Sequence, residues 1–154
     1  MAEKQKKVPA KRIQLVDVVL ERKGSQLFEG RRVRSPEDAA NIIRDFIGDS
    51  DREKFVVLCL STKNEPTALQ VVHTGSINAS IVHPRDVLKV AVISNSASIL
   101  VAHNHPSNDT TPSPEDIEVT KRLVEAGQIL GIDVIDHLIL ASNSFRSLKE
   151  SGYM

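Results

Sequence analysis

The chain has 154 residues, 40% of them apolar, and its 20 basic and 20 acidic side chains cancel to a formal net charge of zero. That length supports one proper hydrophobic core rather than two, and the charge balance gives no global field that would favour nucleic acid, a membrane surface or an acidic substrate. The single cysteine, Cys59, excludes an internal disulfide and a cysteine-built zinc cage, so any zinc must take nitrogen and oxygen ligands.

The opening segment carries Lys4, Lys6, Lys7, Lys11 and Arg12 and is expected to be a disordered basic tail over residues 1–12, with one domain running from 13 to 154. It lacks the apolar core of a signal peptide, and no run reaches bilayer length, which points to a cytoplasmic protein. Residues 12–20 begin an apolar alternation at Ile13 and Leu15 that Asp17 interrupts, and a strand at a sheet edge, ending near Gly24, is expected. Ser35-Pro36-Glu37-Asp38 then supplies a capping serine, a proline at the first helical position and an acid at the third. Ala39, Ile42, Ile43, Phe46 and Ile47 form the apolar stripe of that helix, and Gly48 ends it.

Residues 55–60 and 67–74, separated by a turn around Lys63-Asn64-Glu65, read as a hairpin, with Cys59 as a small buried hydrophobe inside its first strand. His83-Pro84-Arg85-Asp86 opens a second helix. Its apolar residues Val87, Leu88, Val90, Ala91 and Val92 are nearly continuous, which predicts burial all round. A buried strand over 97–102 leads to His103, and a loop with Pro106 and Pro112 follows. Ser113-Pro114-Glu115-Asp116 starts the longest helix, which runs to about Leu130 and stops at Gly131. A strand over 132–140 and a short segment over 145–148 complete a mixed α/β domain.

The chemistry concentrates in His103-Asn104-His105-Pro106-Ser107 with Ser113 and Asp116 downstream. Side chains alternate along a strand, so His103 and His105 project the same way. Ten residues separate His105 from Asp116, enough for the chain to turn back and present the carboxylate from the first turn of the next helix. Two imidazoles and one carboxylate leave a fourth tetrahedral position open, the mark of a catalytic rather than a structural zinc. The tetrapeptide Ser-Pro-Glu-Asp occurs twice, and at 35–38 it has no histidine nearby, so alone it signals only a helix cap. Its coupling to the two histidines is what points to a metal centre, in which Asp116 ligates while Ser113 caps.

The whole pattern, H-x-H-P-x(6)-S-x-x-D, resembles the metal-binding motif of the JAB/MPN (JAMM) metalloprotease superfamily. From about Arg34 to Gly152 the chain is similar to its RadC-type branch, through Val82-His83-Pro84-Arg85-Asp86, Ala102-His103-Asn104-His105-Pro106-Ser107 and Gly131-Ile132-Asp133-Val134-Ile135-Asp136-His137. The resemblance implies a three-layer JAB/MPN (cytidine-deaminase-like) fold with a mixed β-sheet flanked by helices. It also implies a Zn2+ ion on His103, His105 and Asp116, with Ser113 hydrogen-bonding the developing oxyanion or the reactive water. Glu53 matches the superfamily's general base, against the plainer reading of an exposed acid at a strand entry. The implied activity is zinc-dependent cleavage of a peptide or isopeptide bond in a peptide or protein substrate. The chain departs from the branch at Asn108, where glycine is usual, at Asp86, where glutamate is usual, and in matching no upstream helix-hairpin-helix region. His83 and His137 read most simply as a helix-start histidine and a half-buried strand histidine, and His73 as a mid-strand residue.

Three rival readings fit the sequence less well. A RadC-like DNA repair or replication-associated module that binds nucleic acid or protein without turnover needs a basic face or stacking platforms, and 3% aromatic content with no tryptophan supplies neither. A zinc deaminase needs H-x-E and a downstream P-C-x-x-C, which one upstream cysteine cannot provide. A scaffold of the same fold without activity would have little use for an intact ligand set. Substrate identity and oligomeric state have no signal in the sequence.

Overall fold

The computed structural model describes residues 2–3 and 5–154. Local capping chemistry sets all three helices. Ser35 starts α1 (Pro36–Ile47) by accepting the Asp38 N–H, and Gly48 closes it at φ 64°. His83 starts α2 (Pro84–Ile93), its Nδ1 accepting the Arg85 N–H at 3.2 Å, so the helix-start reading of this histidine holds. Ser113 starts α3 (Pro114–Leu130) with a full capping box, and Gly131 ends it in the left-handed conformation.

The five strands are β1 (Lys54–Leu60), β2 (Pro66–Thr74), β3 (Ser98–Asn104), β4 (Asp133–Leu140) and β5 (Phe145–Ser147). They form one sheet in the order β2-β1-β3-β4-β5, antiparallel except for the β3/β4 pair. Every residue of β3 but the last is buried, as is every residue of β1 but the first, because both faces of the sheet are covered. Phe55, Val57, Cys59 and Val101 pack with α2 and α3 on one face, and Val56, Leu58, Leu100 and Ala102 with α1 on the other. The result is the expected mixed α/β fold in three layers, consistent with the JAB/MPN architecture. Cys59 is fully buried, and that burial pushes its thiol pKa up. Among the described residues no helix is long and apolar enough to cross a membrane.

Three expectations need correction. Residues 12–20 form no strand: they lie exposed, outside the sheet, whose edges are β2 and β5. The first side chains to pack are Phe28 and Val33, against the α1 side of the sheet. In the basic tail expected over residues 1–12, Lys4 lies outside the described residues, while Lys6, Lys7, Lys11 and Arg12 are exposed. Phe46 leaves the apolar stripe of α1 and stands 37% exposed, because the buried arc turns through Ala39, Ala40, Ile42 and Ile43. Helix α2 is amphipathic rather than buried all round: Val87, Leu88 and Ala91 face the core, whereas Val92 is 51% exposed.

The passage from α3 into β4 depends on Gly127. The Ile132 N–H donates to the Gly127 carbonyl at 2.9 Å, and a Cβ at position 127 would press into the Ile132 carbonyl oxygen. Gly127→Ala is expected to lower stability by about 1–3 kcal/mol through this overlap, despite alanine's helix preference of about 1 kcal/mol. A fall in the denaturant midpoint checks it.

Candidate metal centre

The parallel step from β3 to β4 passes through α3, which sets the end of β3 beside the start of that helix. His103 lies within β3 and is fully buried, His105 follows the strand's last residue, and Asp116 is the third residue of α3. Their ligating atoms meet. His103 Nε2 lies 3.0 Å from His105 Nε2 and 3.2 Å from Asp116 Oδ1, and His105 Nε2 lies 3.5 Å from Asp116 Oδ2. A tetrahedral zinc site with bonds of 2.0–2.1 Å has edges of about 3.3 Å, so the spacing fits such an ion.

Hydrogen bonds behind the ligands determine which nitrogens carry protons. His105 Nδ1 is 2.6 Å from the Asp109 carbonyl oxygen, which can only accept, so the proton is on Nδ1 and Nε2 keeps its lone pair. Behind His103 the order runs outward from the helix. Thr120 Oγ1 donates to the Asp116 carbonyl at 2.7 Å and accepts from His137 Nδ1 at 2.6 Å. His137 Nε2 then accepts from His103 Nδ1 at 2.8 Å, which leaves the His103 Nε2 lone pair facing the cluster. Two nitrogen lone pairs and a carboxylate thus converge, and a metal cation satisfies all three where a proton bridges only two.

The electrostatics agree. Burial works to raise the Asp116 pKa, but the Nε2 atoms of His103 and His105, which donate to the carboxylate when those rings are protonated, outweigh it and hold the carboxyl well below the usual carboxylate range. The Asp116 carboxylate in turn raises the pKa of His105, against the effect of its burial. Burial drives the His137 pKa well down, which keeps that ring neutral. Asp116 also serves its helix: Oδ2 accepts the Ser113 N–H at 2.8 Å, while Ser113 Oγ accepts the Asp116 N–H at 3.1 Å. The same capping box that begins α3 therefore orients one of the three candidate metal donors.

Glu53 immediately precedes β1 and is half-buried. Its Oε2 accepts the Ile77 N–H at 3.2 Å and its carbonyl accepts the Gly75 N–H at 2.8 Å, and its charge is among the influences that raise the His105 pKa. Asn104, the residue between the two histidines, grips both neighbours of Glu53. Its Oδ1 accepts the Lys54 N–H at 2.7 Å and its Nδ2 donates to the Arg52 carbonyl at 2.9 Å.

With these contacts in view, comparison with known proteins is decisive: residues 33–153 match the RadC-like JAB domain family. The chain belongs to this family. A UPF0758 protein of Desulforamulus reducens is 50% identical over 120 residues, covering 78% of this chain and 53% of the relative. Another, from Geobacillus sp. (strain WCH70), is 49% identical over 142 residues, or 91% of this chain and 63% of the relative. A third, from Methanosarcina barkeri, is 48% identical over 124 residues, 80% and 54% respectively. The chain thus spans little more than half the length of most of these relatives.

Several features of this RadC-like JAB domain escaped sequence reasoning. His137 is fully buried rather than half-buried, and it touches His103 directly. Phe55 closes the space around the two rings, stacked on His103 and edge-on to His137. Thr120 carried a faint signal, since it lies four residues after Asp116 on one helix face. The departure at Asn108 is explained: its φ of 63° is a conformation glycine adopts freely and asparagine tolerates. Its side chain compensates by accepting from the Ser142 N–H and hydroxyl at 3.1 and 2.9 Å. Asp86 sits in the first turn of α2, where its charge suits the helix dipole as glutamate's would. His73 lies on β2 and takes no part in the cluster.

Because His137 and Thr120 orient His103 from behind, His137→Leu is expected to weaken metal binding at the cluster about 10–100-fold. Competition against a chromophoric chelator measures it, with Thr120→Val expected to act in the same direction.

Proposed function

We propose that this domain is a zinc-dependent hydrolase that cleaves a peptide or isopeptide bond in a protein substrate. The observation that carries this reading is the convergence of three donors whose lone pairs are fixed by their own hydrogen bonds. A carboxylate held by one backbone amide, that of Ile77, stands at the same end of the sheet. Imidazole nitrogens favour zinc over magnesium or calcium. Zinc held by His103, His105 and Asp116 would supply Lewis acidity, polarising a carbonyl and acidifying a coordinated water.

The chain's own residues divide the remaining work. Glu53 accepts the proton of the attacking water and returns it to the leaving nitrogen. Ser113 Oγ accepts the Asp116 N–H, which leaves its own proton to donate to the oxygen where negative charge develops. Asn104 keeps Glu53 in place, and His137 with Thr120 keeps the His103 lone pair aimed inward. An open groove of about 610 Å³ begins at His105 and is lined by Arg44, Asp49, Asp51 and Ser142, room for an extended peptide beside the centre.

The test pairs metal analysis with hydrolysis of a panel of fluorogenic peptides and an isopeptide-linked lysine probe. About one zinc per chain is expected in the wild type and little in His105→Ala, with hydrolysis confined to the zinc-loaded wild type. Zinc-loaded protein that cleaves no probe, yet binds DNA with a steep salt dependence surviving removal of residues 1–12, would replace this reading with a RadC-like nucleic-acid-binding module.

A further inference from the structure

Residues 12–20, RIQLVDVVL, are rich in β-favouring aliphatics and lie in water. Ile13 is 84% exposed, Leu15 96%, Val16 78%, Val18 70% and Val19 79%. The apolar residues fall on both sides of an extended chain, Ile13, Leu15 and Val19 on one and Val16, Val18 and Leu20 on the other. A strand of that kind belongs in a sheet covered on both faces, which is the kind of sheet this domain has. The root of the arm is fixed, since Gln26 donates to the Ile42 carbonyl at 2.9 Å and Phe28 packs on the α1 side. Beyond that root, residues 5–25 are all exposed.

The sheet has two edges, and they differ. The β5 edge is only three residues long and carries Arg146, the short, charged kind that resists further pairing. The β2 edge is nine residues long and contains no Asp, Glu, Lys or Arg. None of its residues is fully buried, although Ala68 and Val72 pack toward one core and Leu69 and Val71 toward the other. Among the described residues, the backbone of 67–73 makes no hydrogen bond except to β1. One chain therefore holds an unpaired strand-like arm and an unguarded, half-covered edge of the same length, both apolar on two faces and neither strongly charged.

We propose that residues 12–20 of one chain form a strand on the free edge of β2 in a second copy, and reciprocally, so that the protein is an arm-exchanged dimer. A second copy is the occupant because donor and acceptor are present once in every chain, which closes the exchange in a two-fold assembly. The interaction goes beyond the proposed hydrolysis and does not depend on it. It also borders the metal centre: β2 ends at Thr74, just before the turn whose Gly75 and Ile77 amides hold Glu53.

Light scattering and amide hydrogen exchange on the full chain test the proposal. At micromolar concentration the expected mass is twice that of one chain, with slowed exchange across both 12–20 and 66–74. Val18→Pro removes a strand N–H in a segment that is exposed throughout in its own chain, so the fold and zinc content stay intact while the protein becomes monomeric and both segments exchange fast. A monomeric wild type overturns the proposal, whether its arm exchanges freely or is protected on its own β2. So does a dimer that survives Val18→Pro, since it would be built on another face.

Discussion

Glu53→Gln is expected to lower hydrolysis of a peptide or isopeptide probe by about 10²–10⁴-fold, the contribution of a positioned general base, while zinc stays at about one per chain. The amide oxygen of glutamine can still accept the Ile77 N–H that now holds the carboxylate, so the shape of the site survives. What disappears is the ability to take a proton and give it back. Asn104→Ala loosens both flanks of Glu53 and touches no ligand atom, so a smaller rate loss is expected, again with zinc retained. Rates and zinc content measured on the same preparations check both variants. Full activity in Glu53→Gln would mean that the proton is carried by another group.

Asp116→Asn is expected to empty the centre and to abolish a pH trend. Asparagine can still accept the Ser113 N–H, so the start of α3 largely survives and the loss is that of the charged ligand. In the wild type, the His105 pKa is raised chiefly by its bond to Asp116. Protons then compete for Nε2 up to a higher pH than at an ordinary imidazole, and zinc loading falls as pH drops through that raised value. Without zinc the sign is opposite. A histidine with a raised folded pKa stabilises the protein below its unfolded value, and that contribution is lost as pH rises through the folded value. The Asp116 carboxyl has a depressed pKa, so its contribution is present above the ordinary carboxylate range and fades only in strong acid. The buried, neutral His137 works against this trend, because its depressed pKa costs stability as pH falls through the unfolded histidine value. The rise in melting temperature that zinc produces should therefore grow as pH rises across the neutral range, and Asp116→Asn should abolish that growth.

The parts of this site that were legible in sequence are those governed by local chemistry. Serine followed by proline and acids fixes a helix start within four residues, and both copies of that tetrapeptide open helices as read. The imidazoles at 103 and 105 and the acid at 116 were legible because alternation along a strand and one returning helix bring them together. The supporting residues depend on pairings that no local pattern encodes. Asn104 reaches Glu53 only because β1 lies antiparallel to β3 with Phe55 opposite His103. His137 reaches His103 only because β4 lies parallel to β3 with Val101 opposite His137. The arm over 12–20 differs from the expectation for a related reason: its composition suits a strand, but strand formation needs pairing with an edge, and within the chain the arm lies exposed, away from both edges of the sheet. Phe46 and Val92 show the limit of counting apolar residues, since the contour of the sheet decides which of them find cover.

The bonds behind His103 close on themselves. Asp116 offers its side chain to the cluster and its main-chain carbonyl to Thr120, and the sequence of donors returns through His137 to His103, which meets the same carboxylate. Each link has one direction, so none can be reversed alone. A carboxylate at position 103 could accept but not donate, which would force His137 to switch tautomer and pull the Thr120 proton away from the carbonyl of Asp116. That corner of the site therefore admits imidazole and resists exchange for aspartate.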